Sequence, residues 1–170
     1  MTSHLFAISL TIGTVAFAMG ADLPVLKVES QVASRRCEVT ILRSDQVGSR
    51  TDYWGTDGAV PSHIVKDVHI SVDGMKCPCP REAFQDLAEV QYDSQVVFDH
   101  GETDGSLVVV IRGGDGAGAY SARITLVDRR VVKRDMMSAG GFVTETTTWR
   151  EGVVASRVYT NTYGSEKSKP

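Results

Sequence analysis

Alternation of apolar and polar residues is the clearest pattern in this chain. Between Tyr120 and Val127 every even-numbered residue is apolar or aromatic, and residues 121, 123 and 125 are polar. A period of two residues is typical of a strand with one buried and one solvent-exposed face. Leu107–Ile111 is apolar throughout, which favours a central strand with little solvent contact. Both patterns predict β-strands.

Turn-forming pairs recur in the second half of the chain at intervals that suit one strand and one turn. They begin at residues 104, 115, 128, 140 and 151, so the intervals are 11, 13, 12 and 11 residues. The β-prone segments total about nine, at 25–32, 37–42, 63–72, 95–98, 107–111, 120–127, 131–137, 142–149 and 153–159. The sequence therefore predicts an all-β fold, an antiparallel β-sandwich of about nine strands.

One short helix is predicted at Pro80–Glu89. Proline suits the first helical position and Glu82 the first turn, where an acidic side chain interacts favourably with the helix dipole. Phe84, Leu87 and Ala88 form one apolar stripe at helical spacing. We expect this helix to cover one end of the sheets.

The first residues have the pattern of a secretory signal peptide. An uncharged apolar run from Leu5 to Ala18 is followed by small residues up to Ala21. The run is shorter than the roughly 20 residues that span a bilayer, although the lack of Lys or Arg before it leaves an uncleaved anchor as an alternative. We expect a signal peptide at 1–21, a β-sandwich domain at 22–163 and a disordered tail at 164–170. The location is then periplasmic or secreted.

Composition and charge narrow the classes of function. The 170 residues are 42% apolar and 23% charged, with a formal net charge of −3, which excludes disordered and polytopic membrane classes. A weakly acidic chain lacks the basic surface that nucleic acid requires as the main partner. The common motifs of hydrolases, zinc proteases and nucleotide-binding proteins are missing, so the sequence favours a non-catalytic protein and predicts no cofactor.

Three cysteines in an exported chain predict one disulfide bond and one free thiol. Cys77 and Cys79 each precede a proline and are therefore extended, which disfavours a bond between them. The expected bond joins Cys37 to Cys77 or Cys79 and stabilises the fold by about 3 to 4 kcal/mol. As an alternative, Cys77, Cys79, Met75 and His69 offer the thiolate, thioether and imidazole ligands of a copper or zinc site.

A polar loop with two large aromatic residues is the first candidate binding site. Asp52, Tyr53, Trp54 and Asp57 lie in this loop, where rigid aromatic side chains flanked by carboxylates are typical of a binding patch. The alternative is that Trp54 folds over the edge of a sheet as part of the core.

A glycine-rich loop is the second candidate. Gly114, Asp115 and Gly116 lie at its centre, between two predicted strands, so a phosphate-binding turn that opens a helix is not expected. Glycine here serves either a wide hairpin or a recognition loop with exposed amides.

These residues predict an exported binding or interaction module that recognises a protein or a cell-envelope component through its loops. Thiol or soft-metal handling through Cys77 and Cys79 is the alternative. A hydrolase that uses His100 with Glu102 or Asp115 is the third hypothesis.

Overall fold

A computed structural model describes residues 25–47, 49–139 and 143–160. The signal peptide expected at 1–21 and the tail expected at 164–170 lie outside the described residues. The described part of the chain forms ten strands: β1 Leu26–Val32, β2 Arg35–Ser44, β3 Ile64–Val72, β4 Met75–Cys77, β5 Val96–His100, β6 Leu107–Gly113, β7 Tyr120–Val127, β8 Arg130–Ser138, β9 Val143–Arg150 and β10 Val153–Tyr159.

The strands form two antiparallel sheets, which confirms the predicted sandwich. The first sheet has the order β1-β2-β3-β4, and the second has the order β10-β9-β8-β7-β6-β5. The alternating residues of β7 are buried and half-buried in turn, as their polarity predicts, and five successive residues of β6 are buried. The core lies between the sheets because apolar faces of both sheets can then leave water together.

Two-residue turns close four of the hairpins. Asp73–Gly74, Asp128–Arg129 and Glu151–Gly152 have positive φ at both positions, and the sequence pattern predicts the turns that begin at residues 128 and 151. This backbone matches the right-handed twist of the strands that flank it. Ala33–Ser34 also has positive φ at both positions, although alanine and serine do not usually adopt this backbone conformation.

The helix predicted at Pro80–Glu89 is wrong, because the chain forms only a single 3₁₀ turn at Arg81–Ala83. Phe84, Gln85 and Leu87 still donate to carbonyls three or four residues back, but Asp86 and Ala88 form backbone hydrogen bonds with another segment. Trp54 donates its N–H to the Asp86 carbonyl at 2.8 Å, and Ala88 donates to the Trp54 carbonyl at 3.0 Å. Pairing with the segment that carries Trp54 therefore replaces helical hydrogen bonding. The apolar stripe is buried as expected.

The predicted disulfide bond is also wrong, because all three cysteines are unpaired. Cys37 lies opposite Val72 on one side of β3, and Cys77 lies opposite Ile70 on the other side. Two strand spacings amount to about 9.5 Å, whereas a disulfide needs Cα atoms within roughly 7 Å. An intervening strand thus keeps the two buried thiols apart.

The unequal width of the sheets determines where a site can form. With two more strands than its neighbour, the second sheet extends beyond the first at its β10 end, and all seven residues of β10 are exposed. The segment from Arg50 to Trp54 folds over the inner face of β9 at this end, and an open cleft remains between that segment and β10.

Candidate functional site

The cleft at this end of the sandwich brings together charged and aromatic side chains from four parts of the chain. Its volume is about 370 Å³. We call it the Tyr53 cleft, and it is lined by Arg50, Asp52, Tyr53, Trp54, Asp86, Glu145, Arg157 and Tyr159. Three of the predicted binding residues, Asp52, Tyr53 and Trp54, therefore line one cavity.

A buried ion network forms the floor of the Tyr53 cleft. Arg134 is fully buried and donates to both oxygens of Asp86, at 2.6 and 3.0 Å, and to Oε1 of Glu145 at 2.6 Å. Thr147 donates its hydroxyl to the same Glu145 oxygen at 3.0 Å. Burial lowers the pKa of Arg134, but the hydrogen bonds and charges of its two carboxylate partners outweigh this and raise it. The guanidinium therefore stays charged and holds both carboxylates in place.

Arg157 balances the charge of this network. Two carboxylates and one guanidinium leave a net charge of −1, and Arg157 Nε lies 3.6 Å from Glu145 Oε1. The same nitrogen donates to the Thr147 hydroxyl at 3.3 Å. With Arg157 included, the network is neutral, as burial of charges requires. Glu145 Oε2 accepts no hydrogen bond from any residue that the structure describes.

The outer rim of the cleft is formed by a local ion pair and an aromatic ring. Arg50 donates to Asp52 at 3.0 Å, and its guanidinium lies 5.8 Å from the centre of the Tyr53 ring. The hydrogen bond from Arg50 lowers the pKa of Asp52. On the opposite rim, the Tyr159 side chain is 66% exposed. Tyr53 and Tyr159 thus border a cavity in which the charged side chains, with Arg134 of the floor included, balance.

Trp54 is a structural residue at the edge of the core, as the alternative interpretation of its loop predicts. It packs against the apolar core, and its ring centre lies 6.4 Å from that of Tyr120. Its backbone forms an isolated bridge with Leu87. Replacement of Trp54 would therefore change stability as well as the cleft surface.

The glycine-rich loop packs directly against the loop that follows Trp54. A Cβ atom on Gly114 would lie 2.7 Å from both the Gly55 Cα and the Gly118 carbonyl, and its φ is +69°. A Cβ on Gly118 would lie 3.0 Å from the Asp57 amide. The two loops that the sequence singled out are therefore neighbours, and close backbone contact explains these two glycines.

The remaining predicted loop residues lie outside the Tyr53 cleft. Asp115 and Gly114 help to line a separate pocket of about 360 Å³, together with Gly55 and Glu89. Asp57 and Gly116 are exposed. This second group is a loop surface beside the Tyr53 cleft and not part of its lining.

A polar cluster that the sequence did not indicate supports this loop surface. The Ser62 hydroxyl lies 2.8 Å from Glu89 Oε2 and 3.0 Å from His63 Nδ1, and His63 Nε2 lies 3.0 Å from the Val90 carbonyl. The Ser62 amide also donates to Glu89. Since the second imidazole nitrogen is bound to the backbone, the cluster lacks the order of partners found in a nucleophilic triad. It fixes the path of the chain before β3.

The soft-metal alternative receives no support. Within the described ranges, no group of three or more His, Cys, Asp or Glu side chains is placed to hold a metal ion. Cys79 and His69 line a groove of about 760 Å³ with Cys77, whereas Met75 contacts Arg129. Burial, followed by the charges of Asp67 and Cys77, raises the pKa of Cys79 to about 12. These thiols are protonated at neutral pH and are poor ligands and nucleophiles.

The third hypothesis, a hydrolase, is not supported by the positions of its residues. His100 ends β5 opposite Leu107, at the start of β6, and Glu102 lies in the exposed turn between them. Asp115 follows the far end of β6. The seven residues of β6 span about 20 Å, so His100 and Asp115 do not share a site.

The sequence patterns did not indicate the residues of the ion network at the floor of the cleft, nor Arg157 at its side. Asp86 was assigned to a helix, and Arg134, Glu145 and Arg157 were treated as ordinary strand residues. A usable signal was present, because Arg134 lies two residues before Met136, which faces the core. A charged residue at an inward position of a strand usually has a buried partner.

No protein-family model, curated protein or solved structure matches this chain. In the part of the chain that the structure describes, there is no helix of the length and apolar character needed to cross a membrane.

Proposed function

We propose that this protein is an exported, non-catalytic binding module that recognises a protein or a cell-envelope component at the Tyr53 cleft. The observation that carries the proposal is the convergence of Tyr53 and Tyr159 over a floor of hydrogen-bonded charges. Half-buried Tyr53 and exposed Tyr159 supply aromatic contact area with little loss of conformational entropy. Fixed polar groups at the floor supply specificity without rearrangement on binding.

The hydrogen bonds of the floor favour binding over catalysis. Both oxygens of Asp86 and one oxygen of Glu145 accept hydrogen bonds from Arg134. A general acid or base must reach the proton that it transfers, and both oxygens of Asp86 already accept hydrogen bonds from a buried guanidinium. Glu145 Oε2, which accepts no hydrogen bond from the residues that the structure describes, suits a hydrogen-bond donor on the ligand.

The neighbouring loops extend the proposed binding surface. Because the glycine-rich loop packs on the loop after Trp54, exposed Asp57 and Asp115 belong to two loops in backbone contact. A macromolecular partner that fills the cleft would contact this surface with its flanks. The sequence pattern at 1–21 supports a location outside the cytoplasm, where an envelope component is accessible.

A binding experiment with two defined probe sets tests this proposal. The protein is immobilised and presented with a phage-displayed library of random peptides and with an array of oligosaccharides. Probes retained by the wild type are then tested on a Tyr53→Ala, Tyr159→Ala double variant. Loss of at least tenfold in affinity is expected, since two aromatic anchors each contribute on the order of 1 kcal/mol or more.

Val97→Ala is the control, because Val97 is an exposed apolar residue of β5 that lines neither the Tyr53 cleft nor the pocket that holds Asp115. The proposal requires that the control binds like the wild type and the double variant does not. Equal binding by the double variant would show that the Tyr53 cleft is not the recognition site.

A further inference from the structure

The outer edge of β10 has the features of a strand that pairs with another strand. All seven of its residues are exposed, including Val153 at 70%, Val158 at 56% and Tyr159 at 66%. Its sequence contains neither proline nor lysine, the residues that most often keep an edge strand from pairing. The bulge at Ala155 lies near its start and leaves Ser156–Tyr159 regular.

The other three edges of the two sheets are protected. Strand β1 carries Lys27 and Glu29, which form an ion pair at 3.0 Å. Strand β4 has only three residues and is followed by Pro78. Strand β5 has five residues and contacts β1 of the first sheet. Each of these three edges is short, charged on neighbouring positions or covered, whereas the regular part of β10, Ser156–Tyr159, carries a single charge, that of Arg157.

The hydrogen bonds between β10 and β9 show which backbone N–H and C=O groups of β10 face its open edge. Thr160 donates its N–H to the Thr144 carbonyl, so the amide and carbonyl of Thr160 point towards β9. Successive residues of an antiparallel strand direct these groups to opposite sides. The backbone amide and carbonyl groups of Val158 and Ser156 therefore also point towards β9. The backbone groups of Arg157 and Tyr159 point to the open edge.

Charge selects the register of a second strand with the same sequence. Residues directly opposite each other share one face of the sheet, and the open groups allow three registers, centred on Arg157, on Val158 or on Tyr159. The first places Arg157 opposite Arg157, which is repulsive, and the third pairs Tyr159 with Tyr159 but no other residue of β10. The register centred on Val158 places Arg157 opposite Tyr159, so that a guanidinium meets an aromatic ring, and it pairs three residues of β10. The strand is thus complementary to itself in one register.

We propose that two copies of this chain pair through β10 in an antiparallel arrangement, with Val158 of each copy at the two-fold axis. The two six-stranded sheets then form one continuous sheet of twelve strands. Arg157 and Tyr159 of each copy exchange main-chain hydrogen bonds with Tyr159 and Arg157 of the other. A C₂ contact of this kind is closed and does not propagate into fibres.

The dimer also changes the Tyr53 cleft. Tyr159 pairs with Glu145 of β9 and lies on the cleft face of the sheet, as does Arg157. Arg157 of the second copy therefore lies beside Tyr159 of the first copy, at the rim of its cleft. The two clefts face the same side of the twelve-stranded sheet, and the second copy supplies part of each rim.

Cysteine cross-linking tests the register. Val158 has its backbone groups turned away from the open edge, so the axis pair is non-hydrogen-bonded, and its Cβ atoms lie about 5 Å apart. We expect Val158→Cys to form a disulfide-linked dimer under mild oxidation. Ser156→Cys, on the same face, is the control, because its two copies would be four positions apart, about 13 Å. The wild type is treated with the same oxidant, and any dimer that it forms measures cross-linking by the three native cysteines.

The mass in solution tests the dimer itself. Sedimentation velocity of the wild type over a range of concentrations should reach twice the chain mass, and Val158→Lys should remain at the chain mass because like charges meet at the axis. Val153→Lys, at the other end of β10, should still dimerise. Circular dichroism confirms that each variant is folded.

Three results would overturn the proposal. A wild type that stays at the chain mass at its highest soluble concentration excludes the dimer. A Val158→Lys variant that still doubles in mass excludes β10 as the interface. Cross-linking of Ser156→Cys in place of Val158→Cys excludes this register. Each result leaves the proposed binding role of the Tyr53 cleft unaffected, since that role is measured by retention of peptide or oligosaccharide probes and not by mass or cross-linking.

Discussion

Arg134 and Asp86 form a bidentate ion pair across the sandwich, with N–O distances of 2.6 and 3.0 Å and almost no exposure of either side chain. Arg134 belongs to β8, and Asp86 belongs to the segment that pairs with Trp54. This contact therefore ties the second sheet to the segment that supports the Tyr53 cleft.

Removal of Asp86 should be strongly destabilising. Asp86→Ala leaves the buried guanidinium with one carboxylate, and breaking a buried pair costs about 3 to 5 kcal/mol of unfolding free energy. Urea denaturation measures this loss. Asp86→Ala combined with Arg134→Met should recover part of it, because no cation is then left buried without its partner. A loss below about 1 kcal/mol for the single variant would show that the pair is solvated.

Gly114 should be the more sensitive of two glycines in the glycine-rich loop. In Gly114→Ala the new Cβ would meet the backbone of Gly55 and Gly118 at 2.7 Å with φ at +69°. We expect a loss of about 1 to 3 kcal/mol. Gly116→Ala is the control, because its φ is also positive but nothing lies within 4 Å of its Cβ. Equal losses in the two variants would contradict the contact between the loops.

Glu89 should make the protein less stable in acid. Burial alone raises the pKa of Glu89, but hydrogen bonds from Ser62 and the nearby His63 outweigh it and lower the pKa below its ordinary value of 4.5. The carboxylate therefore stabilises the fold above pH 4.5, and this contribution disappears as the pH falls through the lowered value. The urea midpoint of wild type should fall more steeply in that range than that of Glu89→Gln. Parallel curves would show that Glu89 is not the group responsible.

The three thiols should be free but unreactive in the folded protein. Burial raises the pKa of Cys37 and of Cys77, and it raises that of Cys79 to about 12. Since the thiolate is the reactive form, a thiol reagent at neutral pH should label the native protein slowly. In denaturant without a reducing agent it should label three thiols per chain. Fewer than three would mean that a disulfide forms after all.

The sequence by itself determined the strands and most of the turns. Side chains alternate with a fixed period of two along a strand, so the pattern in β7 defines both the element and its buried face. Asp73–Gly74 and Glu151–Gly152 adopt positive φ because their residue types tolerate it locally. The Asp52–Trp54 segment was also identified, since aromatic residues in a polar loop stand out without any knowledge of their neighbours.

The tertiary structure decided the contacts between segments that are distant in the chain. Arg134 lies 48 residues from Asp86 and 11 from Glu145, and no local pattern specifies which strands bring them together. The pairing of Ala88 with Trp54 replaced a predicted helix, and the insertion of β3 between Cys37 and Cys77 prevented a predicted disulfide bond. Local preferences are worth tenths of a kcal/mol per residue, whereas pairing and burial across the fold are worth several. The nonlocal contacts therefore prevail wherever the two disagree.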